Sequence, residues 1–339
     1  ALHGTSIVSV PPALAKAGFT NVQLVEAQST PDGNFPTVAS PNPEESAALA
    51  MAVAQAEATN ADLVIGCDPD TDRVGIAVND GTGKMQLLNG NDTAALLVHY
   101  ILNAYKTNGT LPANGFTAAT VVTTDLIADI SAAYGVPCYR CLTGFKWIAD
   151  IINNKPEEQF LVGGEESYGY LIGDDVRDKD AVASAVMIAE MAANAKAKGR
   201  TVLQQLEAIH REFGQYQERL ISITKKGRSG AQEIADMMTA LRNDPPKTLA
   251  GSPVIVAIDH SNSTQTDLRT GATSSTELPG SNVLQFITEA GDKVSARPSG
   301  TEPKIKFYFS VRTTTGESHA ATKAELERKI DTFIEELNL

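Results

Sequence analysis

The stretch Leu63-Val64-Ile65-Gly66-Cys67-Asp68-Pro69-Asp70-Thr71-Asp72-Arg73-Val74-Gly75-Ile76-Ala77-Val78 decides how the chain reads. Residues 63–66 form an apolar run short enough for a buried strand, and 74–78 resume as a second strand that stops at the turn Asn79-Asp80-Gly81. Between them lie three aspartates on alternate positions, which cannot enter a core, so 67–73 must be a loop at a strand end, where open α/β sheets present ligand sites. Three carboxylates this close repel one another unless a cation or a basic neighbour compensates, and oxygen-only ligands suit a hard ion such as Mg²⁺. Asp68, Asp70 and Asp72 are therefore the candidate metal ligands. An EF-hand starting at Asp68 would need Gly sixth and Glu twelfth. This chain has Arg73 and Asn79 there, and the EF-hand fails.

Outward from this loop, apolar runs and helical patterns alternate. Asn42-Pro43-Glu44-Glu45 reads as a helix start, with an Asn cap, Pro at the first helical position and acid in the first turn. An Ala-rich helix to residue 59 follows. Further on come a helix over 92–105, a strand at 118–123, a helix from 126, a strand at 136–140, a helix from 146, and a strand at 160–162. A long Ala/Met helix over 181–198 ends at Gly199, and a further helical pattern reaches 213. Strand and helix in turn predict an α/β fold, with helices covering a largely parallel sheet. After Gly214 the texture changes to strands at 219–224, 254–258, 283–288 and 304–311, with helices at 231–241 and 317–337. That is an α+β domain, in which the polar run 261–280 reads as a surface loop.

Two other loops carry chemistry. Gly163-Gly164-Glu165-Glu166-Ser167-Tyr168-Gly169 turns at a strand end, and Glu165 and Ser167 offer the acceptor and hydroxyl that would bind vicinal sugar hydroxyls. Arg297-Pro298-Ser299-Gly300-Thr301-Glu302-Pro303-Lys304 lies between two strands. Its Arg, two hydroxyls and Gly-freed backbone make an anion nest, and Lys304 and Lys306 add local positive charge. No Walker A loop occurs. A metal loop, a hydroxyl-reading loop and a phosphate loop together equip the chain for metal-assisted phosphoryl transfer on a phosphosugar.

Composition narrows the classes. Of 339 residues, 28 are Lys or Arg and 41 Asp or Glu, a net charge of −13, which argues against nucleic acid or an anionic membrane as partner. No run approaches the ~18 apolar residues of a membrane span, and the start lacks the pattern of a signal peptide. A cytoplasmic location is expected. The three cysteines make no disulfide framework, and the C-x-x-C of Cys138 and Cys141 reads as coincidence because it falls on a strand, not at a helix N-terminus.

With these residues in view, the sequence resembles the α-D-phosphohexomutases, most of all their phosphoglucomutase/phosphomannomutase branch. LHGT (2–5), FPTVASPNPEE (35–45), CDPDTDRVGIAV (67–78), LTGFKWIA (142–149), GGEESYGYLIGDDVRDKDAV (163–182) and RPSGTEPKIKFY (297–308) occur in family order. The resemblance implies domains two to four of a four-domain enzyme: two tandem α/β domains with mixed sheets, 1–90 and 91–213, then a smaller α+β domain, 214–339. It implies an activity in which a phosphoserine phosphorylates the bound sugar phosphate to a bisphosphate and recovers the other phosphate after the sugar reorients. Hexose phosphates are the implied substrates, with Mg²⁺ as cofactor and glucose 1,6-bisphosphate as intermediate and activator.

Residue by residue, the resemblance places Asp68, Asp70 and Asp72 on Mg²⁺ and Arg73 beside them. Thr143, Gly144, Glu165 and Ser167 fall where the family contacts sugar hydroxyls, Lys179 where it places an acid or base, and Arg297, Ser299, Gly300 and Thr301 in its phosphate loop. Lys146 and Lys304 are added as substrate contacts and His3 as a catalytic candidate. The family's phosphoserine loop, of T-A-S-H-N-P type, is not found here. Ser40 sits in a segment that the second domain carries separately and reads as a helix-start residue, so the chain is expected to be part of a longer enzyme and inactive alone. The Glu165 and Ser167 pair resembles members acting on glucose and mannose phosphates, while RDKDAV also resembles relatives that take pentose phosphates. Two rivals stand beside this reading. A haloacid-dehalogenase-like phosphatase would use the first Asp as nucleophile but wants Thr or Val where Asp72 stands, and a non-catalytic phosphosugar-binding fragment would bind without turnover.

Overall fold

The computed structural model describes residues 1–225, 227–300, 302–314 and 318–339. The chain divides into two compact units, residues 1–209 and 210–339. In the first, α1 (Ser6–Lys16) and α2 (Ser46–Thr59) precede three strands, β1 (Leu63–Cys67), β2 (Val74–Asn79) and β3 (Met85–Leu88). These pair in the order β1-β2-β3, all antiparallel, with Cys67 opposite Val74 so that the acidic loop is the hairpin connection between β1 and β2. The strand, loop and strand read from residues 63–78 are thus a hairpin, because a loop of six residues is too short for the crossover that parallel neighbours require. Ala56 of α2 packs on Val64, Ala77 and Met85 to cover one face.

The second sheet follows α3 (Gly90–Thr107) and contains β4 (Gly115–Thr120), α4 (Leu126–Ala133), β5 (Cys138–Cys141), α5 (Lys146–Asn154), β6 (Gln159–Gly164) and β7 (Tyr170–Ile172). Its order is β5-β4-β6-β7, parallel except for β7, which folds back on β6. Phe116 and Phe160 meet edge to face, and Ile148 and Ile152 of α5 close over them. Two strands begin or end away from their expected bounds: the run 118–123 contributes only to Thr120, and 136–140 pairs from Cys138 to Cys141. Cys138 and Cys141 are free thiols on that strand. The mixed α/β organisation is the one expected.

Helix α6 (Ala181–Ala197) is capped by Asp180, whose Oδ1 accepts from the amides of Val182 at 2.9 Å and Ala183 at 3.0 Å. The division between units falls within α7 (Val202–Phe213). The second unit comprises β8 (Gln215–Thr224), α8 (Gly227–Asn243), β9 (Thr248–Leu249), β10 (Ser252–Asp259), β11 (Thr264–Asp267), β12 (Thr273–Ser275), β13 (Leu284–Thr288), β14 (Lys293–Pro298), β15 (Lys304–Thr313) and α9 (His319–Glu336). Seven strands run in the order β12-β11-β10-β13-β14-β15-β8, with β9 pairing β10 and every neighbour antiparallel. Met238, Ile330 and Phe333 cover Phe307, Phe309 and Val311 on one face.

Three expectations are corrected. The run 261–280 is not only loop: Thr264–Asp267 and Thr273–Ser275 pair as a hairpin on the edge of the sheet, where exposed strands can be polar on both faces and so show no alternation. The C-terminal helix starts at His319 under a Ser318 cap, and Glu317, where it was expected to start, lies outside the described residues. Asn42 does not cap a helix. Helix α2 begins at Ser46, and the side chain of Asn42 is used elsewhere, as shown below. Among the described residues no helix is long and apolar enough to cross a membrane.

Candidate active site

The acidic loop is shaped by its own first carboxylate. Asp68, 1% exposed, takes the amides of Asp72 at 3.1 Å and Arg73 at 2.9 Å on Oδ1, while its Oδ2 accepts from Arg73 Nε at 2.7 Å. The turn is tight enough to hold Thr71 at φ +64°. From beneath, the amide of Thr5 donates to the carbonyl of Pro69 at 2.8 Å, and the hydroxyls of Thr5 and Thr71 meet at 2.8 Å. Gly4 is needed at this contact: a Cβ there would lie 2.2 Å from Pro69 Cα. The LHGT segment is therefore a cradle for the loop. Its histidine faces away from that role, since His3 is buried with Nε2 on Thr37 Oγ1 at 2.8 Å and Nδ1 on the Thr30 carbonyl at 3.2 Å. Both ring nitrogens are occupied, as in a packed structural histidine.

One carboxylate oxygen from each of Asp68, Asp70 and Asp72 lies within 4.8 Å of the others. Asp72 Oδ1 is buried without a hydrogen-bond partner. An all-oxygen donor set with an orphaned buried oxygen fits a hard divalent cation. Burial pushes the Asp68 carboxyl up to about 6, against the hydrogen bonds from Arg73. For Asp72 burial also works upward, but Lys179, Asp68 and Arg73 together outweigh it and hold the carboxyl below the usual range.

The second loop comes to the first through the backbone. The amide of Val74 donates to the Tyr168 carbonyl at 3.0 Å, and the amide of Ala181 to the Thr71 carbonyl at 3.3 Å. Glu165, 5% exposed, accepts the amide of Gly144 on Oε1 at 2.8 Å, which fixes Thr143 and Gly144 beside it. Thr143 Oγ1 is buried without a hydrogen-bond partner. Ser167 is half-buried in the same turn, which Tyr168 closes at φ +70°. Lys179 is ion-paired with Asp72. Burial works against the Lys179 charge, but Asp72, with Glu165 and Asp178, outweighs it, and the ammonium is held above its ordinary range and stays protonated at neutral pH. Lys146 is exposed, its Nζ 5.1 Å from the Trp147 ring centroid.

Several residues of this assembly were not found in the sequence. Glu166 accepts from the hydroxyls of Thr120 at 3.3 Å and Thr123 at 3.1 Å, and its carbonyl presses on Gly90, where a Cβ would lie 1.9 Å away. Asn42 and Glu44 take Arg73 Nη1 on Oδ1 at 3.3 Å and Oε1 at 3.1 Å. The signal was present in the FPTVASPNPEE segment, but its Asn-Pro-Glu reads locally as a helix cap.

The third loop belongs to the second unit. It joins β14 to β15, with Arg297 directly opposite Lys306 in the register. The Ser299 amide donates to the Lys304 carbonyl at 2.7 Å, and the Glu302 amide to Ser299 Oγ at 3.3 Å. Lys304 Nζ stands 3.8 Å from Glu302. Thr301 lies outside the described residues.

Residues 1–82 match the family described as phosphoglucomutase/phosphomannomutase, alpha/beta/alpha domain II, and residues 89–212 its domain III. A phosphoglucomutase of Staphylococcus epidermidis is 39% identical over 311 residues, 91% of this chain and 56% of that protein. A probable phosphomannomutase of Haemophilus influenzae is 38% identical over 314 residues, 92% of this chain and 59% of that one. The chain thus spans little more than half the length of these relatives. The fold is shared with parafusin, a phosphoglucomutase from Paramecium (TM-score 0.67, 17% identity, 97% of this chain and 55% of that one). It is shared also with a putative phosphomannomutase from Thermus thermophilus (TM-score 0.66, 17% identity, 100% and 59%). With two consecutive domain matches over the first unit and relatives of this identity over nine-tenths of the whole chain, the chain belongs to the phosphoglucomutase/phosphomannomutase family.

Proposed function

We propose that the chain is the metal-binding, sugar-binding and distal-phosphate portion of a phosphohexomutase. The enzyme interconverts hexose 1-phosphate and hexose 6-phosphate through a bisphosphate and a phosphoserine outside the chain. The observation that carries this reading is the junction of the acidic loop with the Glu165 and Lys179 loops: two backbone hydrogen bonds and an ion pair hold a cation site and a hydroxyl-reading site together. In this reading residues 1–90, 91–213 and 214–339 are the second, third and fourth domains of the enzyme.

Asp68, Asp70 and Asp72 would hold Mg²⁺, which when bound neutralises charge on the transferring phosphoryl group. The chain's own residues do the rest. Arg73, fixed by Asp68, places a permanent positive charge beside the loop. Glu165 accepts a sugar hydroxyl, with the Thr143 and Ser167 hydroxyls and the Gly144 backbone alongside. Lys179, protonated at neutral pH, serves as an acid or electrostatic partner and not as a base. Arg297, Ser299, Gly300 and Thr301, with Lys304, bind the phosphate that is not reacting, and Lys146 adds a contact at the sugar loop. Glucose 1,6-bisphosphate is the intermediate and activator, and glucose or mannose phosphates the substrates.

Transfer needs donor, acceptor and metal in line, and loss of a covalent donor is not offset by binding elsewhere. The chain alone should therefore bind hexose phosphates without interconverting them, even with glucose 1,6-bisphosphate added. A coupled assay on glucose 1-phosphate, mannose 1-phosphate and ribose 1-phosphate tests this, run on the chain and on the longer gene product carrying an upstream phosphoserine domain. Turnover by the chain at an ordinary enzymatic rate, abolished by Ser40→Ala, would overturn both the missing donor and the assignment of Ser40.

A further inference from the structure

Arg73 is shared among more acceptors than its place beside Asp68 requires. Its Nε serves Asp68 Oδ2 at 2.7 Å, and its Nη1 serves Glu44 Oε1 at 3.1 Å and Asn42 Oδ1 at 3.3 Å. The Asn42–Glu44 segment is brought over β2 by a close approach at Gly75, where a Cβ would lie 2.8 Å from the Pro43 carbonyl oxygen and 2.9 Å from Pro43 Cβ. Asn42 Oδ1 also takes the amide of Glu44 at 3.1 Å, so the segment is an ordered arm and not a helix cap.

We propose that Glu44, held by Asn42, is a positioning residue for Arg73: it draws part of the guanidinium charge away from Asp68 and leaves that carboxylate able to take a divalent cation. This rests on the reading of Asp68, Asp70 and Asp72 as a Mg²⁺ site. The reasoning is an inventory of acceptors. Asp68 Oδ1 already takes two backbone amides, so Oδ2 is the oxygen with capacity for a cation, and it is the one that Arg73 Nε holds. Without Glu44 the whole positive charge of Arg73 falls on Asp68 and on Asp72, whose Oδ1 stands 3.6 Å from Nε, and an incoming cation must compete with a stronger pair. Glu44, on the opposite side of the guanidinium, balances that pull.

The test is Mg²⁺ binding to the chain by calorimetry, together with the NMR signal of the Arg73 Nε–H group. Glu44→Gln should weaken Mg²⁺ binding about 3- to 10-fold and shift the Nε–H resonance, with Glu44→Asp restoring much of both. Glu45→Gln removes an equal charge from an exposed neighbour and should leave both unchanged. In an Arg73→Gln background, Glu44→Gln should have no further effect, because Glu44 acts through Arg73 and not by bulk charge. An equal loss in Glu45→Gln, or a loss of the same size with Arg73 absent, would overturn the proposal. Wild-type protein that takes up no Mg²⁺ would instead overturn the metal reading. The Arg73 resonance then decides the positioning role alone, and a resonance unmoved by Glu44→Gln ends it.

Discussion

Lys179, on the loop leading into α6, is ion-paired with Asp72 of the acidic hairpin between β1 and β2. The pair joins the sheet that carries the carboxylates to the loop that follows β7, and Asp180, by capping α6, fixes the backbone from which Lys179 reaches. A free lysine ammonium would sample many rotamers. Here one partner and one helix cap select among them.

The acidic loop makes the first prediction. A ligand that binds only the native state stabilises it by mass action, about 2.7 kcal/mol at a hundred times its dissociation constant. Mg²⁺ should therefore raise the melting temperature of the chain, and Asp70→Asn should remove most of that rise. Equal magnesium shifts in the two proteins would dismiss Asp70 as a ligand.

In the second unit, Arg297 can meet a phosphate with two parallel charged hydrogen bonds, which lysine cannot reproduce. Arg297→Lys should weaken glucose 6-phosphate binding by roughly 1 to 3 kcal/mol, the scale of one hydrogen bond to a charged group. Its melting temperature should match that of the wild type. Unchanged affinity by calorimetry would remove Arg297 from the site.

Gly90 tests the packing of the turn at Glu165 and Glu166. It opens α3, where alanine would by helix propensity gain up to about 1 kcal/mol, but a Cβ would lie 1.9 Å from the Glu166 carbonyl oxygen and 2.7 Å from its carbon. Backbone cannot swing aside as a flexible side chain can, so the clash should win. Gly90→Ala is expected to cost about 1 to 3 kcal/mol in urea unfolding. A neutral or stabilised variant would show that the loop moves freely off α3.

His210 predicts a pH dependence. Burial, with the neighbouring His319 ring 5.2 Å away and stacked, lowers its pKa to about 4. The unfolded chain, at about 6.5, binds this proton first, so the stability that neutral His210 preserves is complete above pH 6.5. It falls by on the order of 1.4 kcal/mol per pH unit as the pH drops toward 4. His210→Gln should flatten the stability profile between pH 6.5 and 4 relative to wild type. Parallel profiles would show that His210 is not titrating as a buried group.

Residues 63–78 were legible as strand, loop and strand because the constraint is local. Apolar runs must be buried, carboxylates on alternate residues cannot be, and a connection this short admits a hairpin. The side-chain types that the three loops offer were legible for the same reason, since carboxylates, hydroxyls and an arginine beside glycines are read directly from the chain. Asn42-Pro43-Glu44 shows where that legibility stops. An Asn side chain can cap a helix or accept from a guanidinium equally well, and only the approach of Pro43 to Gly75 brings Arg73 within its reach. The polar hairpin at the edge of the second unit's sheet was hidden likewise, because its pairing depends on the free edge of β10 and not on its own alternation. The sequence by itself determined which chemical groups the loops offer. The tertiary structure decided which partner each group meets, as in Arg73 with Glu44, Lys179 with Asp72 and Gly90 with Glu166, because residues far apart in the chain choose partners through packing and not through local propensity.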